Sequence, residues 1–469
     1  MAAWDRRTPN QLAKLREAAV RNQVVDAVAP FSPWWKARLK TLGRKAGSVG
    51  SLAGLAALPA VGERDVCPDG DPRGMAALVL QGTESGFALH AEGPVLRRAL
   101  VSRLTKPGSY RAIVEADTRP TSFVWAGLGL RFPVASTRSD LDLVARAGAR
   151  LWDVLGLTRD DVVVSALPTL PTASVQALEL AALGAGSPLL TPGEDVSAVA
   201  DALRLVPATT LAVAAAGAAA LLDDLDDAEA PLDALRTVLL VGGAYDDERA
   251  AVADALARVG VSGCVVLSVH VPDGHRLLWG ECRASAGRTG LHTYPDLEVV
   301  QLVDPETGEA TAGSAQGELV VTQLGFRGTA LLRWRTGDVA QGIEEGACPS
   351  CGRTVPRVTG LRPSVLVPAL DLRGGARAVD VRGVSAALVG RADVVDWRVV
   401  LGRSARDDAD ELLVHVVPAE SADPAEIAVA VARDVRAASG LLPTQVVLAK
   451  ADELPVDGWA LSPRVLSRQ

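Results

Sequence analysis

Apolar and polar positions run along this chain in two rhythms. Between residues 161 and 270 short apolar runs alternate with longer segments whose apolar residues recur every three or four positions. The runs at 162–167, 187–190, 237–241 and 264–268 predict strands, and the segments at 174–183, 195–205, 214–225 and 246–259 predict helices. Gly184 and Gly186 supply a stop for the second-named kind of element. This βαβα rhythm predicts a mainly parallel sheet covered on both faces. Farther on the period falls to two. Residues 297–303 and 317–322 alternate, and Asp304-Pro305-Glu306-Thr307-Gly308-Glu309 lies before the second of them as a hairpin-like turn.

The flanks are read the same way. Residues 10–28 have helical spacing and are followed by the aromatic pair Trp34 and Trp35, expected in the core. Ala77-Leu78-Val79-Leu80 and 121–125 predict strands. The loop Gln81-Gly82-Thr83-Glu84-Ser85-Gly86 is either an ordinary turn or a cradle for phosphate. Thr137 with Asp140 three residues later predicts a capping box at the head of a helix carrying Leu141, Val144, Leu151, Trp152 and Leu155. Beyond Val358 the pattern fits a small α+β domain, with a hairpin from 397–401 and 411–417, a helix at 424–438 and a strand at 444–449. The expected division is therefore 1–357 and 358–469, in a chain of 469 residues that is too long for one core.

Composition narrows the field of functions. Hydrophobic content of 48% with 22% charged residues describes a globular chain. A net charge of −8 argues against a nucleic-acid surface. The apolar stretch 210–222 is too short to span a membrane and is expected to be a buried helix. The first residues lack the apolar run of a signal peptide, and five cysteines do not make a disulfide framework, so the expected location is the cytoplasm. Lysine is scarce, confined to Lys14, Lys36, Lys40, Lys45, Lys106 and Lys450.

Two stretches carry chemistry. Arg333-Trp334-Arg335-Thr336-Gly337-Asp338 reads as a strand end that turns at Gly337 and leaves a carboxylate at its tip. Cys348-Pro349-Ser350-Cys351-Gly352-Arg353 is a CxxC knuckle, a metal corner or a redox pair. Its Gly-Arg continuation suggests a turn, whereas redox pairs open a helix. Leu239-Leu240-Val241 runs into Gly242-Gly243-Ala244, a turn at a strand's carboxyl end, where open α/β sheets bind ligands; a plain β-to-α turn is the alternative.

Together these segments resemble the adenylate-forming superfamily, specifically its phenylacetate-CoA ligase branch. The match is most specific from Trp279 to Arg357, where Glu281-Cys282, Gly290-Leu291-His292, the Asp304–Glu309 turn, Arg335-Thr336-Gly337-Asp338 and the knuckle follow the family's order. The resemblance implies an α/β fold: a large N-terminal domain with mainly parallel sheets and a β-rich subdomain, then a small α+β C-terminal domain. It implies that Asp338 holds the ribose and that Gly242, Gly243 and Ala244 lie against adenine. Cys282 and His292 join Cys348 and Cys351 as a Cys₃His set suited to structural zinc. It further implies ATP with Mg²⁺, a carboxylic acid and coenzyme A or another thiol as partners.

The chain also departs from the family pattern. The phosphate loop, expected near 126–133, keeps Gly127, Gly129 and Pro133 but has no serine or threonine. Where the family has Y-G-x-x-E, this chain has Ser268-Val269-His270-Val271-Pro272-Asp273-Gly274, and Asp273 is a poor stand-in for the glutamate. His270 and His275 are read as core or solvated histidines. The segment Gly360-Leu361-Arg362-Pro363-Ser364 lacks the hinge motif G-R-x-D, and 454–464 lacks the catalytic lysine, offering Arg464, with Lys450 upstream. Arg is not an equivalent donor. Two expectations follow: an ATP-dependent enzyme that forms acyl-adenylates with possible transfer to coenzyme A, or a pseudo-ligase that binds nucleotide or scaffolds a protein partner. A redox protein using Cys348 and Cys351 is the third.

Overall fold

A computed structural model of the chain describes residues 4–82, 87–88, 93–105, 110, 113–115, 118–244, 246–285, 290–311, 316–363, 366–368, 378–389, 391–404, 410–420, 422–439, 441–455, 459–462 and 465–467. Residues 83–86 of the early Gly/Ser/Thr loop, Ser364 and Arg464 lie outside them.

At the centre is a nine-stranded sheet. Five strands are parallel, in the spatial order Val265–His270, Thr237–Val241, Thr210–Ala214, Val163–Ala166 and Leu189–Leu190. Four short antiparallel strands, Trp279–Glu281, Leu291–His292, Arg357–Thr359 and Gly342–Glu344, extend the sheet beyond Val265–His270. Val163–Ala166 and Thr237–Val241 are buried at every position, as strands covered on both faces must be. On one flank the helices Arg138–Leu155 and Ala173–Ala185 cross almost backbone to backbone: a Cβ at Gly148 would lie 2.2 Å from Ala181 Cα. Thr137 caps the first of these helices with the expected box, and Gly156 ends it in the left-handed region.

Two local expectations are corrected. Thr210–Ala214 is a central strand, and the helix begins only at Ala218. An apolar run buried on both sides has no period of its own, so its spacing cannot separate strand from helix. Pro72–Leu78 forms a 3₁₀ helix where a strand was expected, and Val79 makes an isolated bridge to Thr329.

The alternating segment forms a three-stranded antiparallel sheet of Glu298–Val303, Gly317–Gln323 and Trp334–Ala340. Its last strand corrects a further detail. Asp338 is not at a strand tip; it lies inside Trp334–Ala340, within a bulge whose residues 336–338 stand opposite Leu319. Gly337 has a φ of +72°, and a Cβ there would sit 2.3 Å from Leu128 and 2.4 Å from the Leu366 carbonyl. The bulge is what aims Asp338, a usual role for such irregularities.

The C-terminal region has a five-stranded sheet, in the order Gln445–Leu448, Asp410–Pro418, Val394–Arg403, Val465–Ser467 and Trp459–Ser462. Helix Pro424–Ser439 buries Ile427, Val431 and Val435 in the same core as that sheet. Leu128, from far earlier in the chain, is part of that core.

Candidate functional site

Three polar constellations converge near the carboxyl ends of the parallel strands, and a fourth lies across the antiparallel edge. The first is the turn after Thr237–Val241. Gly242 and Gly243 have φ of +104° and +80°, a pair of left-handed residues that favours glycine twice over. Both donate their N–H to the Val269 carbonyl at 3.0 Å, and the Ala244 N–H donates to Ser268 Oγ at 2.9 Å. A Cβ at Gly243 would come within 3.2–3.5 Å of Pro363, Leu361 and His270 Nδ1. The turn is therefore bare backbone facing a side-chain wall.

The second is Asp338, fully buried, whose Oδ2 lies 2.7 Å from His270 Nε2. His270 is the last residue of its strand and is itself buried, and its Nδ1 finds no hydrogen-bond partner among the described residues. Sequence reading left this histidine without a partner. Its partner is the carboxylate expected to hold ribose, brought to it by tertiary pairing across 68 residues. Arg335, two strand positions before Gly337, donates from Nε to Glu318 Oε2 at 2.9 Å, and Glu318 Oε1 accepts the Gly337 N–H at 3.2 Å. Burial raises the Glu318 carboxyl above its usual range, and Arg335 opposes that rise. Arg335 thus supports the bulge that aims Asp338.

The third is the turn 127–130, at the expected place of the phosphate loop. Glu63 accepts the backbone N–H groups of Leu128 at 2.8 Å, Gly129 at 3.1 Å and Leu130 at 2.6 Å, and Asp273 accepts that of Gly127 at 2.8 Å. Burial pushes Glu63 up to about 7, against the lowering effect of those N–H groups. Partly exposed Asp273 is pushed up to about 8, chiefly by desolvation and then by the nearby Glu63. Glu63 was missed in the sequence because nothing local marks it; it opens a four-residue helix, Glu63–Val66, in an unremarkable stretch.

The fourth constellation is Cys282, His292, Cys348 and Cys351, whose donor atoms all lie within 4.8 Å of one another. The Cys282 and Cys348 sulfurs are 3.9 Å apart, and Cys351 Sγ is 3.6 Å from His292 Nε2. Tetrahedral zinc, with bonds of about 2.3 Å to sulfur and about 2.0 Å to nitrogen, needs donors about 3.5–3.8 Å apart, so these four residues fit it. Desolvation, with Arg353 and Arg357 nearby, lowers His292 to about 3 and keeps its imidazole neutral, the form that ligates. The knuckle is a turn held by Cys348 N–H to the Arg353 carbonyl (2.7 Å) and Gly352 N–H to the Cys348 carbonyl (2.8 Å), not a helix start. Arg353 belongs to this corner. It pairs with Asp153 at 2.6 Å and Asp5 at 2.8 Å, tying the first residues and a helix to the knuckle.

A cavity of about 400 Å³ opens beside the first constellation, lined by Gly243, Ala244, Ser268, Thr359, Leu361 and Arg362 among others. Its wall includes half-buried Arg249 and buried Glu281, 2.8 Å apart, and Glu281 Oε2 also accepts the Ser268 N–H at 2.9 Å. The cavity's lining is largely polar and charged, with Asp246, Gln341, Glu344 and Arg362 beside Arg249 and Glu281.

No family model matches this chain, and no curated protein matches it in sequence. Solved structures do. The chain is similar to 2-hydroxyisobutyryl-CoA ligase in its postadenylation state with 2-HIB-AMP, with a TM-score of 0.64 and 15% identity over 99% of this chain and 91% of that one. It is similar also to the thioesterification state of that ligase with 2-HIB-AMP and CoA, with a TM-score of 0.61 over the same shares. At that identity the likeness establishes the fold alone, which this chain shares with that ligase across nearly the whole length.

Proposed function

We propose that this chain is an adenylate-forming protein of reduced catalytic power: it takes an adenine nucleotide and a carboxylic acid at the carboxyl ends of its parallel strands. In the reaction that the ligase likeness suggests, a carboxylate oxygen attacks the α-phosphorus of ATP, pyrophosphate leaves, and an acyl-adenylate forms. A thiolate such as that of coenzyme A then attacks the acyl carbon and AMP leaves. The observation that carries this reading is the meeting of Gly243, His270 and Asp338, with the 400 Å³ cavity alongside. Gly242, Gly243 and Ala244 present bare backbone to an adenine ring, and Asp338 supplies a carboxylate to ribose hydroxyls once His270 gives way. Mg²⁺ would accompany ATP.

Reduced power follows from what surrounds those groups. Asp338 is engaged by His270, and the stretch 454–464 holds no lysine to neutralise charge at the α-phosphate. Losing one such partner costs on the order of 10²-fold or more in rate. A second reading, a pseudo-ligase that binds nucleotide or a protein partner without chemistry, is favoured by the same His270–Asp338 pair.

Thermal unfolding with and without Mg-ATP and AMP tests the proposal. A ligand at ~100 times its dissociation constant stabilises by about 2.7 kcal/mol. A shift with either nucleotide, followed by acid-dependent pyrophosphate release, supports the enzyme; a shift without release supports the pseudo-ligase; no shift in folded protein overturns both nucleotide readings. We further propose that Cys282, His292, Cys348 and Cys351 hold a structural zinc, a closed four-donor site with no open position for catalysis.

A further inference from the structure

A second cavity lies away from the carboxyl ends of the parallel strands. It has a volume of about 360 Å³ and runs between the first helix, Pro9–Arg21, and the two arms of the cysteine knuckle, 345–347 and 354–356. Its apolar lining comes from Pro9, Leu12 and Ala13 on the helix and from Ala347 and Pro356 on the arms. Its charged lining is Arg7, Arg16 and Glu345. A concave apolar surface with a few placed polar groups is the usual form of a small-molecule site.

The two arginines stand in different states. Arg7 is fixed by its backbone: its carbonyl accepts the Thr354 hydroxyl at 2.8 Å, and the nearby Asp5 carbonyl accepts the Thr354 N–H at 2.7 Å. Its guanidinium makes no hydrogen bond or ion pair among the described residues. Arg16 donates from Nη1 to Glu345 Oε1 at 3.0 Å, and its Nε, shielded from solvent, has no partner among the described residues. The Glu345 side chain is 70% exposed, and an ion pair so open to water contributes little. The chain thus seats a carboxylate on one guanidinium of this groove and leaves the other without one.

We propose that this groove binds a small carboxylic acid with an apolar body, its carboxylate on Arg7 and its body against Leu12, Ala13 and Pro356. A guanidinium presents paired N–H donors that match both oxygens of a carboxylate. A polyanion is a poorer fit, since Glu345 lines the same groove and would repel it. Gly243, His270 and Asp338 do not line this groove, so the inference does not rest on the nucleotide reading.

Photolabelling of the full chain with 4-azidobenzoate, followed by peptide mapping, tests it. Label is expected on the peptides that carry 7–16 and 345–356. Excess benzoate should remove that label, whereas benzamide, an uncharged analogue, should not. Arg7→Ala should weaken the apparent affinity there by about tenfold, the worth of a hydrogen bond to a charged group. Ala13→Phe fills the groove and should abolish the label. Arg7→Ala breaks no side-chain contact among the described residues and is expected to fold, which circular dichroism checks. Label on these peptides that Arg7→Ala leaves unchanged, or that benzamide removes as well as benzoate does, overturns the proposal. So does label confined to other peptides; mapping keeps acid bound elsewhere in the chain apart from acid bound here. Label that fades as the protein is concentrated marks a second copy in the groove and also overturns it.

Discussion

The cysteine corner and the Asp338 end of the molecule are built from similar parts, a few polar side chains brought together by strand pairing, yet they are left in opposite states. At the corner, four metal-ligating side chains bring their donor atoms within 4.8 Å of one another, with Arg353 beside Cys351. At the other end every acid has found a partner inside the chain: Asp338 has His270, Glu318 has Arg335, Glu63 and Asp273 have the turn 127–130. Three thiols and an imidazole converging in this way match the donor set of a tetrahedral ion. Donors and acceptors that satisfy each other hold a shape and make any ligand compete for its place. One end is therefore read as a corner suited to a structural metal, the other as a site partly closed by its own residues.

The sharpest way to break this contrast is at the corner. Cys348→Ser and Cys351→Ser should abolish zinc, from about one ion per chain to almost none by elemental analysis, and should lower stability by at least about 3 kcal/mol in denaturant unfolding, since structural zinc contributes directly to folding. Metal-free chain that is equally stable would show the corner to be ordinary packing.

Next in size is His270→Ala. It removes the histidine that engages a buried carboxylate, a change that costs about 3 kcal/mol in comparable buried pairs. The same substitution removes the residue that engages Asp338, the carboxylate proposed to hold ribose, so the thermal shift produced by AMP should grow although the protein is weaker. Lower stability with an unchanged AMP response would reduce the pair to a structural one.

A smaller effect tests the acids by pH. Glu63 and Asp273 stand at about 7 and about 8 in the folded chain, above their ordinary values of 4.5 and 3.8. The folded state therefore holds more protons than the unfolded one in between. Their contribution to stability is fully present below about pH 4 and is lost as pH rises through about 7 and 8. The melting temperature should fall across that window, and Asp273→Asn should flatten the fall. The smallest effect is a control at a residue in neither constellation: Thr137→Ala removes a helix cap and should lower stability by about 1 kcal/mol without moving metal content or nucleotide response.

How much of this was readable beforehand differs by residue. The capping box at Thr137, the turn Gly242–Gly243 and the CxxC knuckle are local objects, and spacing alone located them. The strand Thr210–Ala214 was misread as helix because burial on both faces erases the period. Asp338 was placed on the right segment but in the wrong setting, since a bulge depends on the partner strand and not on its own residues. Glu63 was invisible. A glutamate in a short helix looks like any surface acid until the turn that it serves is folded against it.

The sequence by itself determined the βαβα rhythm, the alternating hairpin and the family order of motifs from Trp279 to Arg357, because these depend on neighbours within a few turns or one strand. Tertiary structure alone decided what those motifs face. His270 reaches Asp338, Glu63 joins the turn 127–130, and Leu128 enters the C-terminal core through contacts between residues that lie 65 or more positions apart. A hydrogen bond of that kind is set by where whole strands and helices come to rest, so the competition between a ligand and the chain's own side chains is written in packing and not in local pattern.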